Sequence, residues 1–466
     1  MSSYVLPRTP PHAPRAEETD GVSSELSTAW AGVSGGKDVV YGGHFVSVGD
    51  LSGRRTTILC ATPRFSDDQL IFKETYRHNG RRFKEEEEVL KHIHAEGNIP
   101  GVVRLKDWEH VHTGFKPLEI GPGEAFRPKV RLALLDDGED LREAKSVNEL
   151  LKTFYDVLEV HRTIHLERHV LHRDMSMQDS FAYPPVAKVD GRCVLTDPPP
   201  FIKDVLNGSI RDLENRTAGC LILDADSSPG LRERPADPHT GLANRKGTPM
   251  CIARSVCIGQ PHATYPLSIA GVPMPTLTPA AERLYVKAYG RRRYEAFAEK
   301  NPYTCHGAIP LRKLPDPPPP FVYRPCHEAE SVFWTMFAAL LIAQPANAER
   351  EPHASARVAA RWTNLYGHQM PAHPTEYWDD RVSILTMSDE AWESCFDTEM
   401  RDVALLLAEI SHQTSPEYEY WTPRPPDDHL HEAVQRLILQ YLVDHFDKDI
   451  VLDRNHRRPT EARTRF

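Results

Sequence analysis

The sequence predicts an α+β chain in two parts, a small β-rich one over residues 26–136 and a larger, mainly helical one over residues 137–452. Three observations carry this. In Val39–Val48, Arg55–Ala61 and Gln69–Tyr76, β-branched and aromatic residues alternate with small and polar ones, and Gly42, Gly43, Gly49 and Gly53 punctuate them; this is the pattern of strands joined by tight turns. Asp136-Asp137-Gly138 then breaks the pattern. From Ser146 onward apolar residues recur at helical spacing.

Composition narrows the function classes. A chain of 466 residues has room for two or three units, or one large bilobal domain, at roughly 150 residues per domain. It has no apolar run of the about 18 residues that a membrane span needs. Residues 1–25, with Pro7, Pro10, Pro11 and Pro14 ahead of Glu17, Glu18 and Asp20, read as a disordered lead without a basic-then-apolar signal. An intracellular protein, cytoplasmic or nuclear, is expected. Eight cysteines without a Cys-x-x-Cys pair read as core thiols. A net charge of −10 argues against non-specific nucleic-acid binding by the whole chain.

Within the β-rich part, Lys73 sits inside a strand pattern. A lysine there is commonly on a solvated face, but a helix predicted over Arg81–Ala95 offers a partner. Its four glutamates, Glu85 to Glu88, suit a helix N-terminus, and Glu86 stands three residues before the apolar Val89-Leu90 pair, in phase to turn inward. Val102–Trp108 and Val130–Leu135 add two strands across a Gly/Pro-rich connection at 114–128, giving about five strands and one helix.

In the helical part, Ser146 and Glu149 form a capping-box pair, and Leu150, Phe154, Val157, Leu158 and His161 share a helical face. His161, His165 and His169 follow at four-residue steps, a spacing that also suits metal ligation, but no cysteine or carboxylate continues that step on either side, so zinc is not expected. The helix runs into His172-Arg173-Asp174, with a second carboxylate, Asp179, five positions on. Further along, the apolar run Gly219-Cys220-Leu221-Ile222-Leu223 ends in Asp224, and Lys246-Gly247-Thr248-Pro249-Met250 makes a tight turn. A helix is predicted over Pro279–Lys300, carrying Arg291-Arg292-Arg293, within a long insertion at about 260–324. Such a basic helix is either a solvated face or a contact for an acidic partner. Apolar helical runs follow at Val332–Leu341, Val403–Ile410 and Leu430–Leu442, and the residues after Asp453, up to 466, read as a basic disordered tail.

Taken together, Lys73, Glu86, His172-Arg173-Asp174, Asp224 and Gly247-Thr248-Pro249 stand in an order that resembles a protein kinase, and in detail the fungal-type protein kinase domain family. That family writes its catalytic loop His-Arg-Asp-Ile-Ser-x-x-Asn and its metal motif Leu-Ile-Asp-aromatic-Asp. A His-Asp-x-Glu-Ser opening a buried helix corresponds here to His327-Glu328-Ala329-Glu330-Ser331. Its closing His-Glu-Ala-x-x-Arg is His431-Glu432-Ala433-Val434-Gln435-Arg436. The resemblance spans roughly residues 40–446. It implies a bilobal protein-kinase-like fold with a small β-rich N-lobe and a larger, mainly helical C-lobe, with ATP and Mg2+ as cofactors. It also implies transfer of the γ-phosphate to Ser/Thr hydroxyls of a protein substrate. By resemblance, Lys73 holds ATP phosphates and is fixed by Glu86, Asp174 is the base within the His172-Arg173-Asp174 loop, Gly49 and Gly53 lie in the phosphate-covering loop, Asp224 and Asp179 hold metal, and Asp226, Gly247 and Thr248 belong to the activation segment.

Four departures bear on activity. Asp179 replaces the family's asparagine, adding a third carboxylate beside Asp174 and Asp224. Ala225 replaces an aromatic residue. Asp226 fits the family variant but not the glycine usual in other kinases. Gly49 and Gly53 do not complete a Gly-x-Gly-x-x-Gly. A pseudokinase that binds nucleotide or a partner is thus the alternative. Ser176 in the loop also resembles small-molecule phosphotransferases, although Gly247-Thr248-Pro249 favours a protein acceptor.

Overall fold

The structure, a computed structural model, describes residues 28–34, 37–48, 56–63, 70–77, 85–113, 116–120, 127–176, 181–183, 198–208, 216–225, 247–262, 272–297, 317, 319–349, 355–371, 379–421 and 424–453. The chain divides into two compact units, residues 1–91 with 103–137, and residues 92–102 with 138–466. The expected lead at 1–25 and the tail after Asp453 lie outside the described residues, as does much of 260–324.

The first unit is an antiparallel sheet. β1 (Thr28–Ser34), β2 (Lys37–Val48), β3 (Thr57–Pro63) and β4 (Leu70–Tyr76) pair in sequence order. After helix α1 (Glu86–Ile93) come β5 (Leu105–His110), the two-residue β6 (His112–Thr113), β7 (Lys116–Pro117) and β8 (Glu119–Ile120), and then β9 (Arg127–Leu134). β9 enters between β4 and β5, so the order is β1-β2-β3-β4-β9-β5, with β8 beside β9 and β6 pairing β7 separately. Leu59, Leu70, Val130, Leu132 and Leu134 are buried in this sheet. β1 goes beyond the five strands that alternation predicts; Gly and Ala interrupt its apolar pattern.

The second unit is mainly helical. A small sheet joins β10 (Glu139–Asp140), β11 (Phe181–Tyr183) and β12 (Leu221–Ile222). The helices are α2 (Val147–Arg168), α3 (Ile202–Asn207), α4 (Arg254–Ile258), α5 (Pro279–Tyr289), α6 (Arg291–Ala296), α7 (Pro325–Leu341), α8 (Ala356–Tyr366), α9 (Val382–Leu385), α10 (Asp389–Glu393), α11 (Arg401–Thr414) and α12 (His429–Asp444). α7 is apolar nearly all round and buried along almost its whole length, as such a helix must be; α2, α11 and α12 pack against it. The two units, one sheet-based and one helical, are the α+β arrangement expected.

Two local details differ from expectation. Ser146 Oγ accepts from Glu149 N at 3.2 Å, but the Glu149 carboxylate accepts from Lys145 N at 2.5 Å. The reciprocal half of the capping box therefore closes one residue early. The helix expected over Pro279–Lys300 is two helices, because Gly290 has φ 84° and ψ 153°, a conformation essentially reserved for glycine. Of the three arginines that follow, Arg291 faces outward to Glu282, whereas Arg293 turns inward to Glu159 at 3.0 Å and lies 3.9 Å over the Tyr289 ring.

Among the described residues, Cys220, Cys251, Cys257 and Cys395 are buried, and no helix is long and apolar enough to cross a membrane. A Cβ on Gly290 meets nothing within 4 Å, so Gly290→Ala tests backbone strain alone. It is expected to lower stability by about 1–3 kcal/mol in urea unfolding; an unchanged midpoint would contradict the assignment of the break to this residue.

Candidate active site

In the first unit, strand β4 and the first turn of α1 bring Lys73 and Glu86 together. Lys73 Nζ donates to Glu86 Oε2 at 2.8 Å, and both side chains are buried. The helix phase explains the selection among four glutamates. Val89 and Leu90 are buried and carry Glu86 inward with them, while Glu88 is exposed. Glu87 is also drawn in, by Arg77. A buried ammonium needs such a partner, since an isolated charge out of water is costly.

In the second unit, α2 ends with His169 in a left-handed conformation at φ 55° and delivers the chain into His172-Arg173-Asp174. His172 Nε2 lies 2.6 Å from the Leu223 carbonyl, and its Nδ1 accepts from Asp174 N at 3.3 Å. The ring therefore carries its proton on Nε2 and ties the loop to the segment after β12. Arg173 has φ 68° and Asp224 φ 55°, each strained for a side-chain-bearing residue. Arg173 is held there by Glu328 on α7, whose Oε1 accepts its backbone N–H at 2.7 Å, and its guanidinium lies 5.0 Å over the Tyr323 ring.

Asp174 meets Thr248 by two bonds to one oxygen. Thr248 N donates to Oδ1 at 3.0 Å and Thr248 Oγ1 at 3.2 Å. Burial first, and the Asp224 charge second, hold the Asp174 carboxyl above its ordinary range, while His172 and Thr248 pull it back. Asp174, Asp224 and Thr248 are thus brought into one electrostatic neighbourhood. Gly247, at φ 137°, has the Ile252 side chain 3.2 Å from where a Cβ would stand. Its missing side chain permits this turn.

Sequence reasoning missed the group that anchors the chain after Thr248. Arg254, fully buried, donates to Glu330 on α7 from its backbone at 3.0 Å and from Nε at 2.7 Å, and its NH1 reaches the Ser415 carbonyl at 3.3 Å. Glu330 also accepts from Trp334 Nε1 at 3.1 Å. It missed Asp156 as well. That buried carboxylate on α2 accepts from Ile202 N at 2.8 Å and Gly219 N at 2.7 Å, fixing the approach to β12. Burial pushes Asp156 up to about 7, against the two backbone bonds. The motif around Glu330 is the one signal that marks Arg254's partner; nothing in the sequence marks Asp156.

Gly49, Gly53, Asp179 and Asp226 lie outside the described residues. Among those described, no group of three His, Cys, Asp or Glu side chains is placed to hold a metal. His161 lies against His431, with Nδ1 2.9 Å from Nε2. Asp174 and Asp224 suit a hard cation that takes one or two carboxylates and completes its shell with phosphate and water. Ser176 Oγ is buried and has no hydrogen-bond partner among the described residues.

Arg254→Met is expected to lower stability by about 3–5 kcal/mol in urea unfolding, because Glu330 stays buried without its cation. Adding Glu330→Gln should recover part of the loss, and equal losses in the two variants would refute the coupling. Asp156 makes stability depend on pH. Its folded-state pKa of about 7 lies above the ordinary 3.8, so the stability it contributes is full below about pH 4 and is lost as pH rises through 7. Unfolding free energy should therefore decline over that window, and Asp156→Asn should flatten the decline; an unchanged slope would show another group responsible.

Residues 125–338, a little under half of the chain, match the family model described as fungal protein kinase. No curated protein matches the chain. Among solved structures, the autoinhibited serine kinase domain of the giant muscle protein titin matches at 10% identity and a TM-score of 0.36, over 85% of this chain and 79% of that one. Asp174, Asp224 and Thr248 all lie within the residues that match the fungal protein kinase model.

Proposed function

We propose that the chain is an ATP- and magnesium-dependent protein kinase acting on Ser/Thr hydroxyls. The contact between Asp174 and Thr248 supports this reading most. A carboxylate at the end of the His-Arg-Asp loop is oriented by both donors of the Gly247-Thr248-Pro249 turn, where an extended acceptor segment of a protein substrate would dock. Phosphoryl transfer asks mainly for positioning and charge neutralisation. ATP supplies the γ-phosphoryl group, and magnesium neutralises its charge when bound. Lys73, fixed by Glu86, binds phosphate oxygens. Asp174 orients the acceptor hydroxyl and takes its proton. Asp224 holds the metal together with Asp179, Gly49 and Gly53 cover the phosphates, and Asp226 opens the activation segment.

A second reading, a pseudokinase that binds nucleotide or a partner without efficient transfer, is favoured by Ala225, which fills with a buried methyl the place of the family's aromatic side chain. Asp179 favours it too, by adding negative charge where phosphates would lie.

Magnesium-dependent ATP binding and phosphate transfer to a protein acceptor, measured for the wild type, Asp174→Ala and Asp179→Asn, separate the two. Asp174→Ala is expected to lower kcat by about 10²- to 10⁴-fold with nucleotide affinity retained, and chelating magnesium should abolish transfer. Binding without transfer, with transfer gained in Asp179→Asn, would favour the pseudokinase. No nucleotide binding at all would sink the kinase reading.

A further inference from the structure

On the surface of the helical unit, one arginine is held against a hydroxyl where a carboxylate would be its ordinary partner. Arg361 and Asn364 stand three positions apart on α8, so their side chains share a face. Both reach one atom of the neighbouring helix α9. Arg361 Nη1 donates to Ser383 Oγ at 3.3 Å, and Asn364 Nδ2 donates to the same oxygen at 3.1 Å. The Ser383 hydroxyl gives its own proton to the Asp380 carbonyl at 2.6 Å, and Ser383 is exposed. Among the described residues Arg361 pairs with no carboxylate, and its Nε is buried without a hydrogen-bond partner. A guanidinium bonds anions about twice as strongly as neutral acceptors, and its fork binds two oxygens at once. One bond to a neutral hydroxyl uses little of that capacity. A serine that only closes its own helical turn would account for the bond to Asp380, as Thr386 bonds the Val382 carbonyl at 3.3 Å. It would not account for a guanidinium and an amide converging on the same oxygen.

We infer that Ser383 is a phosphorylation site whose phosphate is received by Arg361 and Asn364, fastening α9 to α8. In the modifying step Ser383 Oγ bonds the γ-phosphorus of ATP, the bond from that phosphorus to the bridging oxygen breaks, and ADP leaves. The hydroxyl proton passes to the base of the protein kinase that carries out the step. The product places three acceptor oxygens and nearly two negative charges beside the guanidinium. Arg361 then gains an anion for its fork, and the Asn364 amide keeps an acceptor. The Asp380 carbonyl loses its donor, a single neutral bond against the charge-assisted ones formed. Access is provided by α9 itself, which spans four residues without a side-chain cap and so opens locally at little cost. The effect has a route inward. Two positions before Ser383, Arg381 is fully buried, pairs with Asp379 at 2.8 Å, and donates from Nη1 to the carbonyls of Met250 at 3.3 Å and Ile252 at 2.7 Å. Fixing α9 therefore steadies the turn that follows Thr248.

Phosphopeptide mapping of the full chain purified from a eukaryotic host should find phosphate on Ser383, and its absence there would overturn the modification. Phosphoserine installed at position 383 during translation tests the receiving pair. It should raise the urea midpoint of the full chain, and Arg361→Gln should cancel that rise while moving the midpoint of the unmodified chain little. An equal rise in the wild type and in Arg361→Gln, or a fall in the wild type, would overturn the role of Arg361. The amides of Cys251 and Ile252 donate to the Thr248 carbonyl. Their hydrogen exchange should slow by a factor of about two to five on phosphorylation, and unchanged exchange would overturn the link from α9 to that turn. None of these readouts uses transfer by the chain itself, so they stand or fall apart from the kinase reading.

Discussion

Two carboxylates on one buried helix organise the helical unit. Glu328 and Glu330 stand two positions apart on α7, so they leave the helix about 200° apart around its axis and reach different segments. Glu328 takes the backbone of Arg173 in the loop after α2, and Glu330 takes the backbone and guanidinium of Arg254 beyond Thr248. The rest of α7 is mostly apolar and almost entirely buried. Neither carboxylate has water to fall back on, so each is stable only while its loop stays in place. This converts two irregular segments, one of them strained at Arg173, into fixed features of a helical core.

The same economy runs through the interior around them. Arg162 on α2 lies 3.2 Å from Glu432 and 3.7 Å from Glu159. Arg436 pairs with Glu432 at 2.8 Å, Tyr285 donates to Glu432, and Arg293 joins from α6. These charges tie α5 and α6 onto α2 and α12. α6 is thereby fastened by ion pairs rather than by an apolar face, for it has no buried residue. A network of this kind is weak evidence for added stability and better evidence for a single arrangement, since each member left alone would be an uncompensated charge.

Much of this was legible in the chain before folding. Alternation placed β2, β3, β4 and β9 within a few residues, helical spacing placed α2, α7 and α12, and the phase of Glu86 against Val89-Leu90 selected the glutamate that meets Lys73. Local pattern carries that information because each of these features depends on neighbours a few residues away. What escaped depends on partners far off in sequence. Arg254 and Glu330 are 76 residues apart, Asp156 and Gly219 are 63, and His161 and His431 are 270. Periodicity says that a polar residue faces inward; it does not say which group receives it. The break at Gly290 was missed for another reason, because both flanks favour helix and one backbone angle decides the outcome.

The central claim is that α7 holds the Asp174 loop and the Thr248 segment as rigid parts of the core. Native-state hydrogen exchange on the wild-type chain tests it most directly, through the amides of Arg173 and Arg254, which donate to Glu328 and Glu330. The account predicts that both exchange only when α7 itself opens, with the same denaturant dependence as amides in the middle of that helix. Exchange of either amide at the rate of an exposed loop, independent of denaturant, would contradict it.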